Sequence, residues 1–404
     1  MLFDRRAMLA LALSVGPSLG EAVKAAGALK SRSGEAGNPL GIRDDFPISQ
    51  SDITFLNTAY SAPIPRQVIA AGIASLERKS LEPLADPEDA AVRSGFARLI
   101  NASPDEIGLL RSTGEAENVI ARGLDLKAGD NVVISSLHYD NEFLLYRNLQ
   151  RETAVEFRIV PHRNGAVEAR DMESYVDKNT RLISVALVSH QNGYVHDLSA
   201  IANLAHAHGA YLYADAIQAL GTIAVDVQVS GVDFLCAGAY KWLLARSGIA
   251  PFFVRRDLFQ RLRLDRYGEG QISERLPNHY YEIYTDARRF EGARPPTGPT
   301  AELAASLKYI ETIGLSRIES HTVGLGRRLQ LELDRQGHRL FTPPGNQSPI
   351  VAFYINRPVP EARNIFAANK LNVTARDGTV RVSPALFNTA DEIERFLAVA
   401  KALL

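Results

Sequence analysis

The chain has 404 residues, 46% of them hydrophobic and 23% charged, with a net charge of −1 at pH 7. That length exceeds the usual size of one hydrophobic core, so a large and a smaller domain are expected. The near-neutral charge argues against nucleic acid or an acidic membrane surface as the main partner. No apolar run reaches bilayer-spanning length, and the single cysteine, Cys236, excludes an intrachain disulfide and a thiolate-built metal cluster.

At the N-terminus, MLFDRRAMLALALSVGPSLGEAVKAAGALK places Arg5 and Arg6 before a weakly apolar segment, Ala7 to Val15, and Ala26-Gly27-Ala28 has a small-x-small form. This resembles a twin-arginine signal peptide over 1–28 and predicts a periplasmic protein, with the cytoplasm as the alternative. Residues 29–45, rich in glycine and charge, read as a linker. Residues 46–295 read as the large domain and 296–404 as the small one.

Strand and helix signals then alternate. Ile107–Leu110, Asn131–Ser135, Ala154–Val160, Leu182–Val188, Ala210–Ala214 and Val232–Ala237 are β-rich apolar runs. Between them lie segments of helical period such as DLSAIANLAHAHG, with Asp197 as N-cap and Gly209 as stop. Repeated βα units predict an α/β fold with a mostly parallel sheet between helices. After about residue 295 come two long helices, Thr300–Ile313 and Ser316–Gln336. Short strands follow at Ile350–Tyr354, Asn372–Ala375 and Thr379–Val382, then a last helix, Ala390–Leu403, giving an α+β tail.

Ligands of α/β sheets collect at the carboxyl ends of the strands. Lys241 and Asp215 each fall just beyond such an end, and Gln218 follows in DAIQAL. An amine, a carboxylate and an amide so placed suit pyridoxal phosphate. The lysine joins the aldehyde as a Schiff base, and the carboxylate keeps the ring nitrogen protonated. The amide reaches the phenolic oxygen. Thr113 and Gly114 open a helix after a strand, where free N–H groups favour a phosphate. His138, after the next strand, is placed to stack on the cofactor ring. No metal site is expected: His206 and His208 point to different faces of their helix.

These landmarks, in order, resemble the aminotransferase class V group of fold type I pyridoxal phosphate enzymes, which includes cysteine desulfurases, kynureninases and isopenicillin N epimerase-like proteins. The resemblance runs from FLNTAYSAPIP (55–65) through STGEAEN (112–118), SSLHYDN (135–141), SHQNGYVHDL (189–198), YADAIQALG (213–221), GVDFLCAGAYKWL (231–243) and RRFEGARPP (288–296) to DGTVRVSPALFNT (377–389). It implies that Arg381 holds a substrate carboxylate, that Asn57 lies in the substrate segment, and that Tyr240 meets the cofactor phosphate. It also implies a homodimer acting on an amino acid or a peptide-derived substrate.

The implied activity works at Cα of that substrate, with Lys241 as general base, as an aminotransferase or an isopenicillin N epimerase-like enzyme. The alternatives are a C–S or C–C lyase, desulfurase-like or kynureninase-like, and a non-catalytic binding protein. Desulfurases need a cysteine on a mobile loop, and Cys236 sits in a strand instead. Gly114, Gly238 and Ala293 replace hydroxyl residues common in the group, and among His190, Gln191 and Asn192 the sequence does not select the one that meets the cofactor.

Overall fold

A computed structural model describes residues 38–83 and 88–403. The signal peptide read at 1–28 and the first part of the linker lie outside the described residues.

Seven strands build the central sheet: β1 (Ile107–Leu110), β2 (Asn131–Ser135), β3 (Glu156–Val160), β4 (Thr180–Ala186), β5 (Tyr211–Asp215), β6 (Phe234–Cys236) and β7 (Ala250–Val254). Their order is β1-β7-β6-β5-β4-β2-β3, and β7 alone opposes the common direction. This is the expected α/β fold with a mostly parallel sheet. The strands read as unbroken apolar runs because both faces are covered. Val133, Ile183, Leu212 and Leu235 enter one core, and Val132, Leu182, Tyr213 and Phe234 enter the other. The apolar run at 182–188 outlasts its strand, since Val188 turns out to bridge Val195 across the following loop.

Helices α1 (Arg66–Leu81), α2 (Asp89–Ile100), α3 (Thr113–Gly123), α4 (Asp140–Thr153) and α5 (Leu198–Ala207) accompany this sheet. Asp197 caps α5 by accepting from the Ala200 amide. Helix α6 (Thr297–Ile313), grouped with the tail on sequence, gives Leu303, Leu307 and Ile310 to the core that holds Val133.

The tail continues with α7 (Leu315–Arg335), strand β8 (Val351–Tyr354), α8 (Val359–Ala368), strands β9 (Thr374–Arg376) and β10 (Thr379–Val382), and α9 (Ala390–Ala400). The sheet order is β8-β10-β9, antiparallel throughout. The run Asn372–Ala375, read as one strand, divides: Leu371–Asn372 pairs in parallel with Thr54–Phe55, and the rest joins β10. Leu329, Phe353, Val380 and Phe396 centre a third core here. Residues 38–45, read as the linker's end, are packed rather than free. Asn38 donates to the carbonyls of Leu386 and Asn388 at 2.8 and 3.2 Å, and Leu40 and Ile42 are buried. Among the described residues no helix is long and apolar enough to cross a membrane, and no cluster of His, Cys, Asp and Glu is placed to hold a metal ion.

Candidate active site

Five parallel strands deliver one side chain or segment each to the same edge of the sheet. Asp215 is the last residue of β5, in register with Ala186 of β4 and Cys236 of β6. Lys241 follows β6, His138 follows β2, His190 follows β4, and Thr113 follows β1. This is the carboxyl edge, where an open α/β sheet holds its ligands.

Lys241 is buried and forms no hydrogen bond or salt bridge among the described residues. Its amine lies 5.6 and 6.0 Å from the ring centres of Tyr240 and Tyr139. Burial brings its pKa down to about 8; Asp215 draws it up and Arg381 pushes it further down. An amine that sheds its proton near neutrality is both a nucleophile and a base. The turn that presents it is strained: buried Leu244, its amide donating to the Lys241 carbonyl, closes it with φ 55°, a conformation that L residues other than Asn and Asp seldom adopt. Gly221, at φ 100°, lies directly under the Trp242 carbonyl, where a Cβ would have no room.

Burial pushes the Asp215 carboxyl up to about 6, against the Ile217 amide at 2.9 Å, the Lys241 charge and the Thr113 side chain, which pull it down. The Thr113 hydroxyl therefore faces Asp215, while the backbone of Thr113 and Gly114 opens α3 with amides that have no intrahelical acceptor. Gln218 donates to the Ala59 carbonyl and accepts from Trp242 Nε1, both at 2.9 Å, which ties the substrate-side segment to the lysine turn and leaves one amide hydrogen for a ligand. At two of the three positions lacking a hydroxyl, a Cβ would crowd a neighbouring side chain. A Cβ on Gly114 would lie 2.8 Å from Asn141 Nδ2, and one on Gly238 would lie 2.9 Å from Ile217 Cδ1.

The loop after β4 resolves which residue faces the site. The amide of Gln191 goes to the carbonyls of Ser136 and His138, and that of Asn192 to Gly165 and Phe341. His190 instead packs edge-on to Tyr139 with its Nδ1 unpartnered. Burial, Arg381 and Lys241 together hold its pKa well below the usual imidazole range, so the ring is neutral.

Arg381 of β10 reaches this group from the small sheet. It is buried, and burial lowers its pKa to about 10. Its Nη1 donates to the His190 carbonyl at 2.6 Å and its Nη2 to Thr374 Oγ1 at 3.3 Å. Its Nε has no partner, and no carboxylate pairs with it among the described residues. A buried guanidinium with no carboxylate beside it is costly, and an arriving anion would offset that cost. Asn57 stands one step back: it accepts from the Thr374 hydroxyl at 2.8 Å and donates to Asn372 at 3.0 Å, so it braces Arg381 through Thr374.

His138 is fully buried, with Nδ1 accepting from the Tyr139 amide at 2.8 Å and Nε2 facing Ser184 Oγ at 3.0 Å. Behind it lie Glu117, Glu142 and Tyr146, none of which the sequence reading singled out. Cys236 is fully buried in β6, and burial holds its thiol well above the usual range.

These groups fit pyridoxal phosphate: an amine of lowered pKa, a buried carboxylate held by the Ile217 amide, backbone amides of Thr113 and Gly114 at a helix N-terminus for phosphate, and unpartnered nitrogens on His190 and Arg381 for a substrate anion. Comparison with known proteins agrees. Residues 84–396 match the family described as aminotransferase class-V. A probable cysteine desulfurase of Methanothermobacter thermautotrophicus is 29% identical, covering 87% of this chain and 95% of its own. The cysteine desulfurase of Thermococcus onnurineus superposes with a TM-score of 0.82 at 24% identity, over 93% of this chain and 98% of that one. A structure of the cystine C–S lyase C-DES with its reaction product cysteine persulfide superposes with a TM-score of 0.82 at 16% identity, over 88% of this chain and 99% of the other.

Proposed function

The chain belongs to the aminotransferase class-V family of pyridoxal phosphate enzymes, and we propose that within it this protein is a lyase that breaks the C–S bond of a cysteine-type amino acid without a thiol relay of its own. The cofactor, when bound, supplies an electron sink for charge developing at the substrate's α-carbon. The observation that carries the amino-acid part is Arg381, a buried guanidinium with no acidic partner beside the Lys241 amine. C–S cleavage is supported by relatives and neighbours whose names state desulfurase or C–S lyase activity. The absence of a relay is supported by Cys236, which is buried in the sheet and is the chain's single cysteine.

In this reading Arg381 grips the α-carboxylate, with Thr374 and Asn57 keeping the fork aimed. Lys241, which sheds its proton near pH 8, takes the α-proton. Asp215 would supply the negative charge that keeps the cofactor's ring nitrogen protonated. The sulfur leaves from Cβ, and the remaining three-carbon fragment hydrolyses to pyruvate and ammonia. Transamination and epimerisation, the activities first expected from sequence, use the same residues up to the loss of that proton. Twin-arginine export and a homodimer belong to the same proposal. The dimer is supported by an exposed apolar row on α1, Ile69, Ile73 and Leu76.

The test is product analysis of the loaded wild type and of Cys236→Ser with cysteine and cystine. The expected result is pyruvate from both proteins. Alanine from the wild type but not from the variant would establish a thiol relay and overturn the reading. A keto acid matched by an aminated cofactor, or an inverted amino acid, would establish transamination or epimerisation.

A further inference from the structure

Two carboxyl groups, Glu117 of α3 and Glu142 of α4, lie side by side beneath His138, neither more than 1% exposed. Their Oε2 atoms are buried with no hydrogen-bond partner, and each carboxyl bears on the proton affinity of the other. No lysine or arginine pairs with either among the described residues. The nearest ionisable base is His138, whose Nε2 is 3.9 Å from Glu117 Oε2, and burial keeps that ring neutral with a pKa of about 3. Tyr146, Tyr213, Asp215 and Cys236 are the other titratable groups facing the pair, and none brings a positive charge. Two adjacent carboxylates in such a place cannot both ionise.

The hydrogen bonds assign the proton. Burial raises the Glu117 carboxyl to about 7, but its Oε1 accepts from Tyr146 at 2.8 Å and from Ser184 at 2.5 Å, which favours the charge on Glu117 over Glu142. Burial and that charge push Glu142 far up, so Glu142 is the neutral acid of the pair. Ser184 has given its one hydrogen to Glu117 and so accepts from His138 Nε2–H. The Tyr139 amide occupies His138 Nδ1.

We propose that Glu117 and Glu142, holding one proton between them, form a positioning group that acts through Ser184 to fix the Nε2–H tautomer and the orientation of the His138 ring. The consequence for the enzyme rests on the reading of His138 as the group that stacks on the cofactor ring; the hydrogen-bond chain itself does not.

The experiment uses the cofactor-free full-length protein at mildly alkaline pH, so failure here and failure of the proposed function are read separately. Infrared spectroscopy in D2O is expected to show the carbonyl stretch of a neutral carboxylic acid in the wild type and in Asp215→Asn, and to lose it in Glu142→Gln. Nitrogen NMR of His138 is expected to show a slowly exchanging Nε2–H in the wild type and in Glu142→Gln. That exchange quickens roughly tenfold in Ser184→Ala, the loss of about one hydrogen bond, with Glu117→Gln between the two. If Glu117→Gln does not fold, the other variants carry the test. Absence of the acid band, an Nδ1–H tautomer, or an exchange rate untouched by Ser184→Ala would each overturn the proposal.

Discussion

The guanidinium of Arg381 donates to the backbone carbonyl of His190 at 2.6 Å, so the arginine of the small sheet is fastened to the loop at the end of a strand of the large one. A single point charge cannot make that bond and grip a carboxylate with two parallel bonds as well. Arg381→Lys is expected to raise KM for α-amino acids about tenfold or more, with a smaller change in kcat. Steady-state kinetics with a carboxylate substrate and with the matching amine checks this. The amine, which has nothing for the guanidinium to grip, shows no such loss.

The Lys241 amine has two charged neighbours of opposite sign. Followed by NMR in the cofactor-free protein, it is expected to titrate near 8. Asp215→Asn removes the group that draws its pKa up and moves the midpoint lower. Arg381→Met removes a group that pushes it down and moves the midpoint higher. Shifts of the same sign in both variants would refute this electrostatic picture.

Glu142 makes stability depend on pH. Its pKa in the native chain is raised far above the ordinary carboxyl value. Above that ordinary value the unfolded chain has released the proton and the native chain still holds it. Stability from this group is therefore fully present only in acid and falls with rising pH, by about 1.4 kcal/mol per unit for one retained proton. Glu142→Gln removes the titration. Thermal unfolding between weak acid and neutrality is expected to decline less steeply in that variant than in the wild type.

Gly221 leaves no space between its α-carbon and the Trp242 carbonyl. Gly221→Ala must displace the turn that presents Lys241, or force a methyl group into backbone at φ 100°. The expected result is a loss of about 1–3 kcal/mol of stability together with slower cofactor uptake. Calorimetry and the growth of visible absorbance on adding cofactor measure the two effects.

Much of this was legible in the sequence. β1 and β2 have the bounds their apolar runs suggested, because covered strands in an α/β sheet carry a strong signal and stop at turn residues, and β10 of the antiparallel tail sheet keeps its bounds as well. Asp215 closes a strand and Lys241, Thr113, His138 and His190 follow four others, a placement that depends on element order alone. Tertiary contact was harder to see. Asn57 was grouped with the substrate segment, but its partners Asn372 and Thr374 lie more than three hundred residues away. Gln191, Asn192 and His190 have equal claims as letters; only the carbonyls facing the first two show that His190 is the one left for the site. Glu117 and Glu142 gave no usable signal, since glutamates in amphipathic helices are ordinarily solvated. Their one clue was position, at places in α3 and α4 that the helical period turns inward.

The pairing of Thr54–Phe55 with Leu371–Asn372 bears on the order in which the protein is made. On a ribosome the seven central strands are all in hand once Val254 has emerged, and they can close their sheet while the C-terminal third is still being synthesised. The first strand of the chain must wait for a partner at the far end. The loop it closes is among the longest the fold contains, and such closures come late and slowly. The lysine and its carboxylate therefore reach their places before the arginine does, and the nascent chain acquires a seat for the cofactor before it can hold an amino acid.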